Sequence, residues 1–356
     1  EKAKKNLQTE ESKIEKNEKT NIENKREDKV IITDDLEVHF IDVGQGDCIL
    51  IKQDEYNMLI DAGDNEYGQT VVNYLKQNGV STLDYIIGTH PHADHIGGLD
   101  DVIYAFNVKK IILPDVIHTT KTFEDVLIAI QSKNLKITIP NVGDVYELGD
   151  ANFTILAPNS DSYDNLNNYS IVTKLEYGNT SFLFTGDAES ISENEILNNN
   201  YNLQSDVLKV GHHGSNTSTT SNFLNAVNPK YAVIQVGTNN KYNHPDNETI
   251  TKLQQKNIEI YRNDLNGTII ATSNGKNIKF NTKSSSQQVK SPTTYTNNES
   301  NTNNENVDED YIGNINSKIF HKPTCHTLPA EHNRIYFSNK EEAINAGYRP
   351  CKNCNP

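Results

Sequence analysis

Four residues able to bind metal ions lie within the sequence T-H-P-H-A-D-H, residues 89–95. They are His90, His92, Asp94 and His95. Neutral imidazoles together with a carboxylate form a ligand set that suits zinc, manganese or iron. The motif directly follows an apolar run, LDYIIGTH, and precedes a Gly-Gly helix start, so it is expected on a tight loop at the end of a buried strand. Solvated loop histidines are the alternative, but such a dense cluster disfavours them.

The elements that must position this loop form one continuous α/β series. Short apolar runs bounded by Gly and Asp predict strands, and apolar residues with a period of 3.6 predict helices. Strands are predicted at VHFIDVG, DCILI and NMLIDAG, a helix at TVVNYLKQNG, and the alternation continues to the strand GTIIATSNG. Strands and helices mixed in a single series of about 245 residues predict an α/β core.

Composition divides the chain into four segments. Residues 1–30 are almost devoid of apolar side chains and are predicted to be disordered, with a solvated single helix as the alternative. Residues 31–282 form the predicted α/β domain. Residues 283–310, rich in Ser, Thr, Asn and Gln, are predicted to be a flexible linker. Residues 311–356 are too few to form a stable core without a disulfide or a bound metal ion.

The acidic charge is concentrated in the central domain. Residues 31–282 contain 16 Lys and Arg against 32 Asp and Glu. Two divalent cations would offset only a small part of this charge, so tight nonspecific binding of a polyanion is not expected of this domain. Nucleic acid remains possible there as a substrate rather than as a tightly held partner.

The C-terminal segment presents two close pairs of ligands. They are spaced H-x-x-x-C and C-x-x-C, and comprise His321, Cys325, Cys351 and Cys354. This spacing predicts a closed tetrahedral zinc site, with a disulfide as the alternative if the protein is secreted. Cys48 alternates with apolar strand residues and is predicted to be a buried small side chain.

The motifs resemble those of known families. T-H-P-H-A-D-H resembles the H-x-H-x-D-H signature of the metallo-β-lactamase superfamily. The ordered set FIDVGQGDCILI, LIDAG, THPHADHIGG, NNYSIVTKLEYG, FLFTGDAE, DVLKVGHHGS, YAVIQVG and NHP is similar to the hydrolase domain of ComEC-type competence proteins and their stand-alone relatives, over residues 36–280. The resemblance implies an α/β fold of the αββα four-layer sandwich type. FHKPTC and NRIYFSNKEEAINAGYRPCKNC resemble the Ada-type metal-binding domain.

The first resemblance also implies roles for the ligands. His90 and His92 would bind the first metal, Asp94 and His95 the second, and Asp187 would bridge the two. The alternative for Asp187 is capping of the helix that begins near Glu189.

Further roles follow from the same resemblance. Asp61 would orient a ligand histidine, or would simply be a turn residue. His212 would be a metal ligand and His213 a substrate or oxyanion partner assisted by Ser215, but these two histidine roles can be exchanged. His244 would bind the second metal or protonate the leaving group.

Two departures from the family patterns limit what is carried over. Residues 96–186 contain only His118, where antibiotic-degrading relatives supply a further ligand histidine, and Asn168 is expected at that position; β-lactam hydrolysis is therefore disfavoured. His118 is predicted to lie away from the site. In the C-terminal segment His321 replaces the first cysteine of the Ada pattern, so zinc binding is expected but DNA-repair activity is not.

These observations predict a binuclear phosphodiesterase or nuclease that acts through a metal-bridging hydroxide. It would use two zinc or manganese ions, and one further structural zinc in residues 311–356. Expected substrates are DNA, in particular single strands, nucleotides or phosphorylated surface polymers. The alternatives are a carboxylic ester, lactone or lactam hydrolase, and a non-catalytic zinc-tethered binding protein.

Partners and location are predicted from weaker signals. Residues 311–356 contain 6 Lys and Arg against 3 Asp and Glu, so this segment could contact a cell-surface polymer, or be only a structural appendage. No apolar run reaches the roughly 18 residues that a membrane span needs, and no protein partner is predicted. Because the chain begins at Glu1 rather than Met, we expect that a start region has been removed, together with any signal peptide or lipid anchor. The expected location is extracellular or at the cell surface of a bacterium, with the cytoplasm as the alternative.

Overall fold

The computed structural model describes residues 34–285 and much of the C-terminal segment. In that segment the described residues are 311–314, 317–322, 325, 327–329, 333–337, 340–345, 348–352 and 354. The predicted disordered segment, residues 1–30, and most of the predicted linker, residues 283–310, lie outside the described residues. The chain divides into two compact units, residues 1–291 and 292–356.

The first unit contains two mixed β-sheets. The strands of the first sheet, in spatial order, are β15 (Ile278–Phe280), β14 (Ile269–Ser273), β1 (Leu36–Phe40), β2 (Ile49–Gln53), β3 (Tyr56–Ile60), β4 (Thr82–Ile87), β5 (Asn107–Ile112) and β6 (Ile137–Thr138). Those of the second sheet are β13 (Glu259–Arg262), β12 (Tyr231–Ile234), β11 (Val207–Lys209), β10 (Thr180–Phe184), β9 (Val172–Tyr177), β8 (Ala151–Ala157) and β7 (Val145–Leu148).

Eight α-helices accompany these sheets in the described part of the unit. They are α1 (Gly68–Gln77), α2 (Ala93–Ile96), α3 (Leu99–Ala105), α4 (Lys121–Ser132), α5 (Ser190–Asn198), α6 (Ser221–Val227), α7 (Asn247–Gln255) and α8 (Asn263–Asn266). None of the described helices is long and apolar enough to cross a membrane.

Alternating side chains of each strand separate the core into three layers. In β2, Ile49 and Ile51 point into the cluster between the two sheets, which also holds Phe153 and Phe182. Leu50 joins the opposite cluster, between the first sheet and its helices. A third cluster packs the second sheet against α5, α6 and α7. Successive strand residues face opposite sides of a sheet, and here apolar clusters cover both sides. Both faces of each sheet are therefore buried. The predicted αββα sandwich is confirmed.

Cys48 lies with Leu50 in the cluster on the helix side of the first sheet and is fully buried. This placement confirms the prediction of a small buried side chain. Burial raises the pKa of its thiol well above the ordinary value, so the group stays neutral.

The direction of the strands brings the functional loops together. β3, β4 and β5 are parallel to one another, and β10 to β13 are parallel to one another. Carboxyl ends of parallel neighbours lie at the same edge of a sheet, which is where ligand-binding loops of α/β proteins gather. The loops after β3, β4, β10, β11 and β12 carry the histidines and aspartates predicted from the motifs.

The second unit is built on a four-stranded sheet. Its spatial order is β18 (Arg334–Phe337), β16 (Tyr311–Asn314), β17 (Ile319–His321) and β19 (Arg349–Pro350), and it is accompanied by α9 (Lys340–Asn345). The buried apolar cluster of its described part is small and consists of Tyr311, Phe320, Phe337, Ala343 and Tyr348.

Candidate metal centre

The histidine motif connects β4 to α2. His90 and His92 lie in the loop that follows the strand, and Asp94 and His95 lie in α2, which begins after His92. Gly97, next along the chain, has no room for a Cβ, because that atom would collide with the backbone of Asn65. The Gly-Gly sequence therefore lets the motif pack closely against the loop after β3.

A first group of nitrogen and oxygen atoms lies around His90. Its Nε2 atom is 2.9 Å from His92 Nδ1 and 3.9 Å from Asp187 Oδ2. His212 Nε2 lies 3.8 Å from the same Asp187 oxygen. On the other side of the ring, His90 Nδ1 is 3.3 Å from the hydroxyl of Ser170. Two imidazoles, those of His90 and His212, thus approach one carboxylate, and the third, that of His92, contacts His90.

A second group shares Asp187. His95 Nε2 lies 3.2 Å and His213 Nε2 3.5 Å from Asp187 Oδ2. His213 Nε2 is also 3.3 Å from Asp94 Oδ2. Asp187 therefore contacts both groups, as a bridging carboxylate would. The start of α5 is capped by Asn168 instead, whose amide oxygen accepts the N–H groups of Glu189 and Ser192.

These atoms fit a cation better than they fit one another. His95 Nε2, His213 Nε2 and Asp187 Oδ1 are buried and have no hydrogen-bond partner. Buried polar atoms without partners cost about 1–3 kcal/mol each, so their convergence needs an explanation. Metal coordination would satisfy all three at once.

The electrostatics of the site favour positive charge. Burial by itself lowers the pKa of His213, but attraction to Asp187 and the nearby carboxylates of Asp47 and Asp94 raise it to about 10. Asp94 responds in the opposite way: burial would raise its pKa, but His213 and His95 hold it well below its usual range. Carboxylates that draw a proton onto a buried imidazole would equally attract a divalent cation.

Asp61 positions both the motif loop and His95. One carboxylate oxygen accepts the Thr89 N–H at 2.8 Å; the other accepts the Thr89 hydroxyl at 2.7 Å and lies 2.8 Å from His95 Nδ1. A carboxylate at Nδ1 leaves Nε2 of the same ring to face the metal cluster. Asp61 also has a left-handed backbone, φ 57°, so it is a turn residue as well.

The backbone after β11 decides which of the two adjacent histidines faces the cluster. His212 and His213 both have left-handed backbones, with φ of 48° and 53°, which costs about 1–3 kcal/mol each outside glycine. This turn buries His213 to 2 % exposure and places its Nδ1 2.9 Å from the Gln235 carbonyl oxygen. His212 is more open and also contacts Thr217 and Glu189. The geometry thus favours the exchanged assignment, with His213 as the ligand beside Asp94.

The remaining predicted residues are placed as follows. His244 lines the cavity above the cluster, half-buried, with its ring centre 5.7 Å from that of His212. Ser215 is buried and its hydroxyl pairs with Thr217, so it does not line that cavity. The Asn168 amide oxygen accepts the backbone N–H groups of Glu189 and Ser192 at the start of α5.

Two expectations about neighbouring side chains need correction. Asn167, rather than Asn168, lines the cavity and lies 3.4 Å from His212 Nε2, because the turn Leu166–Tyr169 directs Asn168 towards α5. The prediction that His118 lies away from the site is wrong: its ring centre is 6.4 Å from that of His92. The loop after β5 carries it there, alongside the loop after β4.

Sequence reasoning missed a buried ion pair beside the cluster. Asp47, between β1 and β2, pairs with Lys209 at the end of β11, and both side chains are almost fully buried. Asp47 also lies 3.4 Å from His213 Nδ1 and 3.8 Å from His95 Nδ1. A charged lysine at the end of the apolar run VLKV was the only signal available, since charged side chains are rarely fully buried without a partner.

The cluster lies at the base of an open cavity of about 610 Å³. The walls combine the cluster with residues of four other loops. The lining consists of Gln45, Asp64, His92, Ala93, Asp94, Asn167, Asp187, His212, His213, Asn240, Lys241, Tyr242 and His244. A substrate can therefore reach the cluster from solvent.

The C-terminal cluster is compact. The ligand atoms of His321, Cys325, Cys351 and Cys354 all lie within 4.8 Å of one another. His321 Nδ1 is 3.3 Å from Cys325 Sγ, and Cys325 Sγ is 4.0 Å from Cys351 Sγ. No disulfide joins the four cysteines of the described residues. Burial lowers the pKa of His321, which keeps its imidazole neutral and able to bind a metal.

Comparison with known families agrees with both clusters. Residues 41–237, which include every residue of the central cluster, match the metallo-beta-lactamase superfamily. The chain belongs to the metallo-beta-lactamase superfamily. Residues 298–356 match the metal binding domain of Ada, which confirms the resemblance seen in the C-terminal sequence. Membership of this superfamily supports metal-dependent hydrolase chemistry in general.

Curated relatives of this chain include a competence protein. The chain is 35% identical over 251 residues to ComE operon protein 3 of Bacillus subtilis, a match covering 65% of this chain and 32% of the relative. It is 30% identical over 237 residues to Competence protein ComA of Neisseria gonorrhoeae, covering 64% and 31%. The chain thus spans about a third of the length of these curated relatives.

Among solved structures, the metallo-beta-lactamase fold protein YhfI of Bacillus subtilis has a TM-score of 0.46 with 14% sequence identity, covering 68% of this chain and 100% of that protein.

Proposed function

We propose that the central domain is a binuclear metal-dependent phosphodiesterase that acts on DNA, nucleotides or phosphorylated surface polymers. The observation that carries the proposal is the pair of ligand groups that share Asp187 at the base of an open cavity. When bound, a pair of divalent cations lowers the pKa of water and stabilises charge on both oxygens of an in-line displacement at phosphorus.

The residues of this chain divide between two positions. His90, His92 and Asp187, with His212 nearby, would hold one cation. Asp94, His95, His213 and Asp187 would hold the other: His213 lies within ion-pair distance of Asp94 and Asp187, and His95 within ion-pair distance of Asp187. Zinc and manganese both accept such a mixture of imidazole and carboxylate ligands.

Other side chains orient these ligands and contact the substrate. Asp61 fixes the ring of His95, and the Gln235 carbonyl fixes that of His213. Burial lowers the pKa of His244, so its imidazole is neutral at neutral pH. A neutral imidazole carries one donor and one acceptor, and on the cavity wall it can bind a substrate oxygen or pass a proton to a leaving group.

The names of relatives support phosphodiester substrates over carboxylic esters. The relatives include ComE operon protein 3, Competence protein ComA and Recombination protein 2 of Haemophilus influenzae; recombination is a process of DNA, and none of these names refers to an antibiotic. The C-terminal unit would hold one structural zinc through His321 and the three cysteines, and could contact a polyanionic polymer.

Metal analysis and substrate assays test the proposal together. The full chain, loaded with manganese or zinc, should bind three metal ions per molecule by elemental analysis and hydrolyse bis-p-nitrophenyl phosphate and single-stranded DNA. Nitrocefin and a simple lactone serve as controls for the carboxylic alternative. Asp94→Ala should abolish phosphodiester turnover and leave the circular dichroism spectrum unchanged. A fully metal-loaded protein without phosphodiesterase activity would refute the proposal, and turnover that survives in Asp94→Ala would refute the site.

A further inference from the structure

A loop above the metal centre carries two side chains that no ligand group uses. We call residues 237–244 the Asn240 loop. Asn240 fixes its shape: the amide nitrogen donates to the carbonyl oxygens of Gly237 and His244 at 2.9 and 2.7 Å, and the amide oxygen accepts the N–H groups of Tyr242 and His244 at 3.2 and 3.0 Å. One side chain thus cross-links both ends of the loop.

The loop presents a positive charge to an acidic cavity. Lys241 is the only ammonium group among the residues that line it, and the lining also contains Asp64, Asp94 and Asp187. In the described part of the chain no carboxylate pairs with Lys241, and its Nζ lies 4.9 Å from the centre of the Tyr242 ring. An unpaired cation beside a two-metal site is placed to bind an anionic group of the substrate.

The loop also presents an aromatic surface. Tyr242 is 50% exposed, and its ring is nearly parallel to that of His244, with centres 5.8 Å apart and an angle of 16°. Exposed aromatic rings beside cationic side chains are the usual means by which proteins hold single-stranded nucleic acid, since any base can stack on such a ring.

We propose that Lys241 and Tyr242 form a nucleotide-binding subsite that selects a single nucleic-acid strand as the substrate of the metal centre. Tyr242 stacks on a base next to the scissile bond, and Lys241 binds a neighbouring phosphate. An exposed tyrosine ring can also bind a cationic ligand such as a quaternary ammonium group. That alternative is disfavoured at Tyr242, because Lys241 already places a positive charge beside the ring. The inference rests on the proposed phosphodiesterase function and deepens it.

A strand without bases isolates the stacking contribution. Oligothymidylate and an abasic strand of equal length have the same phosphates, and only the first can stack. The intact protein should prefer oligothymidylate by roughly tenfold or more in KM. Tyr242→Leu should raise KM for oligothymidylate with little change in kcat and remove the preference, whereas Tyr242→Phe should keep it. Tyr104→Leu, an equally exposed tyrosine on α3 outside the cavity, is the matched control.

Salt dependence isolates the charge contribution. Lys241→Gln should weaken binding of both strands and reduce the slope of log affinity against log salt by roughly one, as expected when one phosphate contact is lost. Lys276→Gln, in the exposed turn between β14 and β15, should change neither quantity.

The results separate this inference from the proposed function. Turnover of bis-p-nitrophenyl phosphate without a preference for bases, or with a preference for phosphate polymers that lack them, overturns the subsite and leaves the phosphodiesterase standing. If no phosphodiester is cleaved, fluorescence anisotropy with the same labelled strands still decides: loss of base preference in Tyr242→Leu supports the subsite, and equal binding by both proteins overturns it.

Discussion

The two clusters of candidate metal ligands in this chain are built in opposite ways. In the C-terminal unit the ligands form two pairs close in sequence, beside a buried apolar cluster of only a few side chains. In the central domain the ligands come from loops after β4, β10 and β11, and three apolar layers hold those loops in place. The central ligands are therefore positioned by a domain that has its own apolar core. The small C-terminal unit is instead expected to need its bound metal in order to fold.

The largest effect is expected from removing the carboxylate common to both central groups. Asp187→Asn should eliminate phosphodiester turnover and reduce bound metal from three ions to one, because Asp187 contacts His95, His90 and His213. The central domain should still fold on its three apolar layers, but its thermal transition should fall, because ions bound only by the folded state stabilise it. Activity and elemental analysis measure the first two effects. Retention of three metals with activity would show that Asp187 is not shared.

Metal removal from the C-terminal unit should instead disrupt folding of that unit without affecting turnover. Structural zinc contributes an apparent 10–16 kcal/mol to folding in small zinc modules. Cys351→Ser should therefore unfold residues 311–356 and leave turnover of bis-p-nitrophenyl phosphate unchanged. Hydrogen exchange of the full chain reports each unit separately. Continued protection of β16 and β17 in the variant would show that the apolar cluster around Phe320 is sufficient without metal.

The same contrast explains what the sequence could predict. The ligand types, their strand-end positions and the short apolar runs are local properties, and they predicted an α/β core and most of its elements, whereas the four-layer sandwich was implied by the family resemblance. The short edge strands β6 and β7 were missed, because their side chains are largely exposed and give no clear alternation.

The orientation of the two adjacent histidines could not be read from the sequence. Spacing alone gives His212 and His213 equal access, and only the left-handed backbone of both residues turns His213 inward. His118 was misplaced for a similar reason. Its loop follows β5, and its approach to His92 depends on how two loops pack, which no local pattern encodes.

The buried ion pair of Asp47 and Lys209 tests how strongly the central cluster depends on distant segments. Lys209→Met leaves Asp47 buried without its partner, which should lower the free energy of unfolding by about 3–5 kcal/mol. The double variant Asp47→Asn with Lys209→Met should recover much of that loss, because no unpaired charge remains. Urea denaturation measures both. If the single and double variants had equal free energies of unfolding, the unpaired charge of Asp47 would not be the cause of the lost stability.

The smallest effect is expected at Asp61, which contacts the cluster only through His95. Asp61→Asn keeps the shape but replaces one acceptor oxygen by a donor facing His95 Nδ1. Loss of such an orienting carboxylate typically weakens metal affinity or activity by about 10–100-fold. Competition with a chromophoric chelator should therefore show weaker binding of one of the two central ions. Asp84→Asn is the control: Asp84 is also buried, but it pairs with Lys109 and Asn57 away from the metals. If both variants weaken metal binding equally, the effect comes from general destabilisation of the domain. If only Asp61→Asn does so, the metal affinity of the central cluster depends on groups beyond its ligands.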